Sequence, residues 1–257
     1  MKTFRIEGLT GESPELAQLW EFGCLGVAEE PGAVVAYFEE QLELPLEGVW
    51  ADVPERDYVA EYQAGLQPVR AGRLVVAPSH RTVEATDGDA IIWLDPGSAF
   101  GTGHHETTRM ALTALGRLDL LGRTVLDVGS GTGLLTIAAD VLGSAAAYGV
   151  DVDAATIPVA RENARRNLSG ARFAEGSVDL PTLPGRFDVV VANLYAELHA
   201  ELMPLYVRRL LPGGKLLLTG ILTRLAHVVQ DAVPSELTLD DELRDGEWSL
   251  LELTLTA

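Results

Sequence analysis

The chain is short of cysteine, of basic residues and of long apolar runs, and each shortage excludes something. Cys24 is the single cysteine among 257 residues, so neither an internal disulfide nor a thiolate zinc cluster is available. No apolar stretch approaches the ~18 residues of a membrane span. The opening segment, Met1-Lys2-Thr3-Phe4-Arg5-Ile6-Glu7, lacks the apolar centre of a signal peptide. A cytoplasmic protein without membrane contact is expected. Lys and Arg number 19 against 38 Asp and Glu, a formal net charge of −19. Such a field repels nucleic acid unless a local basic patch overrides it, and the sequence offers none, so no direct nucleic-acid binding is expected. A basic partner is attracted instead, with on-rates raised by ~10–1000-fold at low salt; solubility is the alternative use of the acidity. With 47% apolar residues the chain can bury a substantial core, as one large domain or a medium domain with an appendage.

What the chain does carry is Val125-Leu126-Asp127-Val128-Gly129-Ser130-Gly131-Thr132-Gly133, an apolar strand running into three glycines. Asp151 closes the next strand pattern, Tyr148-Gly149-Val150-Asp151. Strand, glycine turn, helix, strand and acidic tip make one nucleoside-binding βαβ unit. Alternate glycines clear side chains where backbone approaches a ligand, and the carboxylate is placed to accept both ribose hydroxyls. A dinucleotide site asks for G-x-G-x-x-G. Here the spacing is G-x-G-x-G followed by Leu134 and Leu135, which suits a nucleoside without phosphates, such as S-adenosylmethionine, over a nicotinamide cofactor.

Residues 1–54 read as a small α+β unit: strand Thr3–Gly8, helix Ser13–Phe22 with a serine cap and a proline in its first turn, then strands Leu25–Ala28 and Ala33–Phe38 around the turn Glu29–Gly32. Tyr58, Val59 and Tyr62 recur at helical spacing between prolines, so 55–66 reads as a linker helix. Residues 67–257 form the larger domain. Arg73–Ala77 and Ala90–Leu94 are strand-like. From Leu120 strands and helices alternate, with strands Thr124–Val128, Ala146–Val150, Ala171–Ala174, Phe187–Ala192 and Lys215–Thr219. The intervening helices are Gly133–Leu142, Ala154–Asn167, Tyr195–Leu210 and Leu222–Asp231. Glu236–Asp240 and Glu247–Leu255 form a final pair of strands. Five parallel strands and an antiparallel pair describe a doubly wound, seven-stranded α/β sheet.

Ligands of such sheets lie outside the carboxyl ends of the strands, where strand order reverses. Those ends carry Gly129–Gly133, Asp151, Ser177 and Asn193. Ser177 is open between a place beside the adenine and a loop or capping role. Asn193 can accept a hydrogen bond from an incoming amine, or can cap the helix starting near Tyr195. Asp95–Gly103 is a glycine- and hydroxyl-rich loop suited to covering a ligand. Phe100 can stack there, and Thr107 or Thr108 can bind the amino-acid end. His104-His105-Glu106 does not make a metal site, because adjacent side chains do not face one ion and no H-E-x-x-H spacing exists. His80, His199 and His227 read as surface or packing residues.

The assembled chain resembles the ribosomal protein L11 methyltransferases, through Asp95–Gly103, His105, Thr107-Thr108, the glycine segment and Ala192-Asn193-Leu194. The resemblance spans nearly the whole length. It implies a Rossmann-like methyltransferase sheet with a ferredoxin-like N-terminal domain that grips a protein substrate. It also implies S-adenosylmethionine contacts at Thr108, Gly129, Asp151 and Asn193, with Phe100 and Leu194 shaping the pocket. The expected donor-binding set is thus Phe100, Thr107, Thr108, Asp127, Gly129, Gly131, Gly133, Asp151, Ser177 and Asn193, with Asn193 and Leu194 at the reacting centre and no metal. The implied reaction is trimethylation of lysine side chains and the N-terminal α-amino group of L11 by a monomeric enzyme. The chain departs from the family at His104-His105-Glu106, where Thr-His-Pro is common, and its N-terminal unit reads as shorter than a full βαββαβ fold. An adenine methyltransferase acting on nucleic acid is a weaker reading. That class places prolines and an aromatic after the Asp or Asn, where this chain has Leu194-Tyr195-Ala196, and the charge is wrong. A non-catalytic donor-binding module is disfavoured by the intact Gly129–Gly133, Asp151 and Asn193.

Overall fold

The computed structural model describes residues 1–11, 13–52, 67–79, 81–84, 86–94 and 103–256. The expected linker helix at 55–66, His80 and the loop segment 95–102 with Phe100 lie outside the described residues. The chain divides into two compact units, Met1–Glu61 and Tyr62–Ala257.

In the first unit, β1 (Lys2–Glu7), β2 (Gly26–Glu30), β3 (Ala33–Phe38) and β4 (Val49–Asp52) form an antiparallel sheet in the order β2-β3-β1-β4. A single 3-10 turn, Pro14–Leu16, leads into the short helix α1 (Ala17–Glu21). The strand order is that of a ferredoxin-like fold, but the stretch joining β3 to β4 is irregular where that fold has its second helix. Leu42, Leu44 and Leu46 from this stretch pack against the core in place of a helix face. The core itself is Phe4, Ile6, Leu16, Leu19, Cys24, Val34, Ala36 and Phe38. Trp50 stacks 4.9 Å from Phe4 and 5.3 Å from Phe38. Strand β4 has four residues and three of them are exposed, so it carries almost no alternating apolar signal and the sequence reading passed over it. The expected turn also proves tighter, because Glu29 and Glu30 are the end of β2 and pair with β3.

In the second unit, β5 (Val69–Ala71), β6 (Leu74–Ala77) and β7 (Ala90–Trp93) make a three-stranded sheet. Helix α2 (Glu106–Arg117) follows. The main sheet then runs β10-β9-β8-β11-β12-β14-β13, built from β8 (Thr124–Val128), β9 (Ala146–Asp151), β10 (Arg172–Glu175), β11 (Phe187–Asn193), β12 (Leu210–Leu222), β13 (Leu237–Asp245) and β14 (Trp248–Leu255). Five strands are parallel, and β14 lies antiparallel between β12 and β13. Helices α3 (Leu134–Val141), α4 (Thr156–Arg166), α5 (Ala196–Arg209) and α6 (Ala226–Ala232) cover it.

Side-chain alternation assigns the two faces. Val125, Val189, Val191 and Leu217 join the cluster containing α2, α3 and α4 residues. Leu126, Val190, Leu216 and Leu218 join the cluster containing α5 and α6 residues. Burial on both faces is why the central strands read as continuous apolar runs. Strand order reverses between β8 and β11, so the connections leaving their carboxyl ends turn to opposite faces of the sheet and leave a crevice between them.

Candidate functional site: a phosphate-free nucleoside cleft

The crevice is a cavity of about 530 Å³ whose walls include Thr108, Gly129, Ser130, Gly131, Asp151, Asp153, Ser177, Asn193, Leu194, Leu198 and Leu202. Its floor is the glycine turn. Gly129, Gly131 and Gly133 all have positive φ (79°, 50° and 82°), a region that costs other residues roughly 1–2 kcal/mol. A Cβ on Gly129 would lie 2.7 Å from Leu194 Cδ2. One on Gly133 would lie 2.7 Å from Phe173 Cζ. The first glycine thus clears the cleft beneath Leu194, while the third seats α3 against the sheet.

Asp151 ends β9. One carboxylate oxygen accepts from Gly131 N at 2.8 Å and the other from Asp153 N at 2.9 Å. Each ionised oxygen has two acceptor sites, so the carboxylate braces the glycine turn and still offers a lone pair per oxygen to the cleft. Ser177 lies on the cleft wall, in the turn after β10.

Asn193 ends β11. Its amide nitrogen donates to Thr107 Oγ1 at 3.2 Å and Thr108 Oγ1 at 3.4 Å. The helix after it has Tyr195 as its N-cap without a side-chain cap, so the capping alternative for Asn193 does not hold. The following turn is pinned from β12. Thr219 O accepts from Leu194 N at 3.0 Å and from His199 Nε2 at 2.8 Å. Gly220 (φ 82°) lies so close that a Cβ would sit 2.4 Å from Leu194 O and 2.8 Å from Asn193 Oδ1. His199 is fully buried, and burial pulls its pKa down to about 4. Because a carbonyl can only accept, Nε2 carries the proton, and Nδ1 accepts from the Tyr206 hydroxyl at 3.3 Å.

Three of the expected donor-binding residues do not reach the cleft. Thr107 is buried, and its hydroxyl is taken up by His105 and Asn193. Asp127 points to the face covered by α3, where one oxygen accepts from Thr136 N (3.1 Å) and Thr136 Oγ1 (2.7 Å). Burial drives its pKa up to about 7, against the pull of the Thr136 hydrogen bonds and aided by the negative charge of Asp151. Gly133 is the N-cap of α3 and packs under Phe173. The sequence reading missed Leu198 and Leu202, an i, i+4 pair on α5 that forms an apolar wall. It also missed Gly220, whose only signal was a glycine interrupting the apolar strand β12 after Thr219.

No Lys, Arg or His appears among the described residues lining the cleft, whereas Asp151 and Asp153 do. The chemistry of this lining fits an adenosine sulfonium: acceptors for ribose hydroxyls, apolar walls for a flat base, and negative charge facing a cation with no counter-ion for phosphate.

Residues 20–256 match the family model of the ribosomal protein L11 methyltransferases. The chain is 46% identical to the ribosomal protein L11 methyltransferase of Deinococcus radiodurans, with 91% of each chain covered. It is 44% identical to that of Thermus thermophilus, with 98% of each covered. Among solved structures, the ribosomal protein L11 methylase of Lactobacillus delbrueckii subsp. bulgaricus superposes with a TM-score of 0.66 at 29% identity, covering 75% of this chain and all of that one. The chain therefore belongs to the ribosomal protein L11 methyltransferase family.

Proposed function

We propose that the cleft at the ends of β8, β9 and β11 binds S-adenosylmethionine and that Asn193 receives the amine to be methylated. The family makes the protein an S-adenosylmethionine-dependent methyltransferase with ribosomal protein L11 as substrate. The observation that carries the site assignment is the cleft lining, acidic and apolar, with glycine backbone beneath it and no basic side chain among its described residues. When bound, the donor supplies a methyl group made electrophilic by a positively charged sulfur.

The protein's own residues do the rest. Asp151 accepts the ribose hydroxyls, Gly129 and Gly131 admit the nucleoside against bare backbone, and Ser177 lies beside the base. Thr108, whose hydroxyl borders the cleft, serves the amino-acid end. Asp127 and Gly133 act from behind, holding the glycine turn and α3 in place. At the acceptor side Asn193 Oδ1 takes an N–H of the primary or singly methylated amine, which turns its lone pair toward the donor, while Leu194 excludes water. The neutral dimethylamine of the third transfer has no N–H, and the cleft walls alone align it. A lysine amine has a pKa of ~10.4 in water, so about one in a thousand is neutral near pH 7.4. Entry into a dry cleft favours the neutral form, and a proton is lost to water before each transfer, so no dedicated base is needed. Catalysis is then chiefly alignment of nitrogen, carbon and sulfur.

The first unit, Met1–Glu61, is assigned to gripping the protein substrate. The products are trimethylated lysine side chains and a trimethylated α-amino group, made by a monomer in the cytoplasm without nucleic-acid contact. Incubating enzyme and donor with purified L11 and weighing the intact product tests this. Mass gains in multiples of three methyl groups on mapped lysines and the N-terminus are expected. An unmodified L11 in the presence of bound donor would overturn the substrate assignment.

A further inference from the structure

The amide of Asn193 has two orientations that differ by exchange of oxygen and nitrogen, and only one presents an acceptor to an incoming amine. A chain of hydrogen bonds leading away from the cleft chooses between them. His105 is the N-cap of α2, and its Nδ1 accepts from the backbone N–H of Thr107. A backbone N–H can only donate, so Nδ1 carries no proton. The same Nδ1 lies 2.8 Å from Thr107 Oγ1, and the proton in that contact must come from the threonine hydroxyl. With its hydrogen committed to His105, Thr107 Oγ1 can only accept from Asn193, at 3.2 Å. The NH₂ group of Asn193 therefore faces the threonines, and Oδ1 faces the other way, over Gly220, where a side chain would intrude at 2.8 Å. The imidazole of His105 is itself held edge-on against the Trp248 ring, at 4.9 Å and 68°.

We propose that His105 and Thr107 are positioning residues for methyl transfer: a tautomer set at the cap of α2 passes through one hydroxyl to fix the Asn193 amide with its oxygen toward the amine. This rests on the reading that Asn193 receives the amine. Neither residue lines the cleft, so their effect falls on the transfer step and not on donor affinity. The Thr107 hydroxyl sits among buried groups, where a mis-set hydrogen bond has no water to correct it.

The test is a matched set of variants in the full-length enzyme, with turnover on L11 and donor affinity by calorimetry measured for each. Thr107→Val keeps the shape and removes the hydroxyl, and Thr107→Ser restores it. His105→Phe keeps a ring against Trp248 and removes the acceptor, and His105→Asn restores an acceptor and a favourable cap. The relay predicts that Thr107→Val and His105→Phe lower kcat by about tenfold or more, the scale expected of a misaligned acceptor. Donor Kd should stay within about twofold, and the Ser and Asn variants should recover most of the rate. Wild-type kcat in Thr107→Val, equal losses in Val and Ser, or donor affinity falling in step with kcat would each overturn it. If Thr107→Val does not fold, the half-exposed His105 pair decides the matter alone. Asn193→Ala separates the two levels. A slow Asn193→Ala beside a wild-type Thr107→Val sinks the relay, whereas a wild-type Asn193→Ala sinks the amine-holding reading beneath it.

Discussion

Gly129→Ala is the perturbation whose consequence the structure defines most closely. Gly129 has φ 79°, so an alanine there pays roughly 1–2 kcal/mol for the left-handed conformation. Its methyl would stand 2.7 Å from Leu194 Cδ2 and 3.5 Å from Leu194 Cγ, and the three nearest heavy atoms outside its chain neighbours all belong to that leucine. Such overpacking adds about 1–3 kcal/mol, for a sum near 2–5 kcal/mol. Leu194→Ala alone trims a half-buried side chain, about 1–2 kcal/mol against the ~2–5 of a fully buried one. Together the two changes should not add, because the truncated residue 194 leaves room for the new methyl. The double variant should be destabilised by about 2–4 kcal/mol, a favourable coupling of about 1–3 kcal/mol. Urea unfolding of the four proteins measures this directly, and thermal midpoints should shift by about 2–4 °C per kcal/mol for a unit of this size. Costs that add to within ~0.5 kcal/mol would show that Leu194 does not rest on Gly129 and that the acceptor side of the cleft has been misdrawn.

Two buried groups give opposing pH dependences. Asp127, raised to about 7, is destabilised by ionisation, so its contribution falls as pH rises from about 4 to about 7. His199, lowered to about 4, is destabilised by protonation, so its contribution is intact above its unfolded pKa of ~6.5 and lost as pH drops toward 4. Relative to wild type, Asp127→Asn should therefore tilt the profile of thermal midpoint against pH upward between pH 4 and 7, and His199→Gln should tilt it downward; parallel profiles would refute both assignments. Asp151→Ala should remove measurable donor binding in calorimetry while leaving a cooperative unfolding transition, and wild-type affinity would end the ribose assignment. Deleting residues 1–54 should preserve donor affinity and abolish methylation of L11; a truncated enzyme that modifies L11 at the full rate would move substrate recognition elsewhere.

The parallel core of the sheet was legible because its strands are buried on both faces and separated by amphipathic helices. Asp151 and Asn193 were legible because each follows an apolar run that ends at a strand tip. Strands β4 and β5 were not, being three or four residues long with mixed exposure. The adjacent threonines show a sharper limit. Their order gives no sign that Thr108 borders the cleft while Thr107 turns toward His105, because that depends on where α2 begins and how it is rotated. Asp127 misled for a related reason. A carboxylate next to a glycine turn suggests ligand contact, but strand alternation sends it to the face covered by α3, where Thr136 meets it. Gly220 and His199 were hidden because their roles come from β12 and α5 meeting the 193–195 turn across a parallel pairing.

A crystal structure of the protein with S-adenosylmethionine or its demethylated product bound decides where the donor lies. Both ribose hydroxyls are expected on the Asp151 carboxylate, adenine beside Ser177, and the sulfur end of the ligand toward Asn193 and Leu194. Density for the ligand at another surface, or a ribose turned away from Asp151, would contradict it.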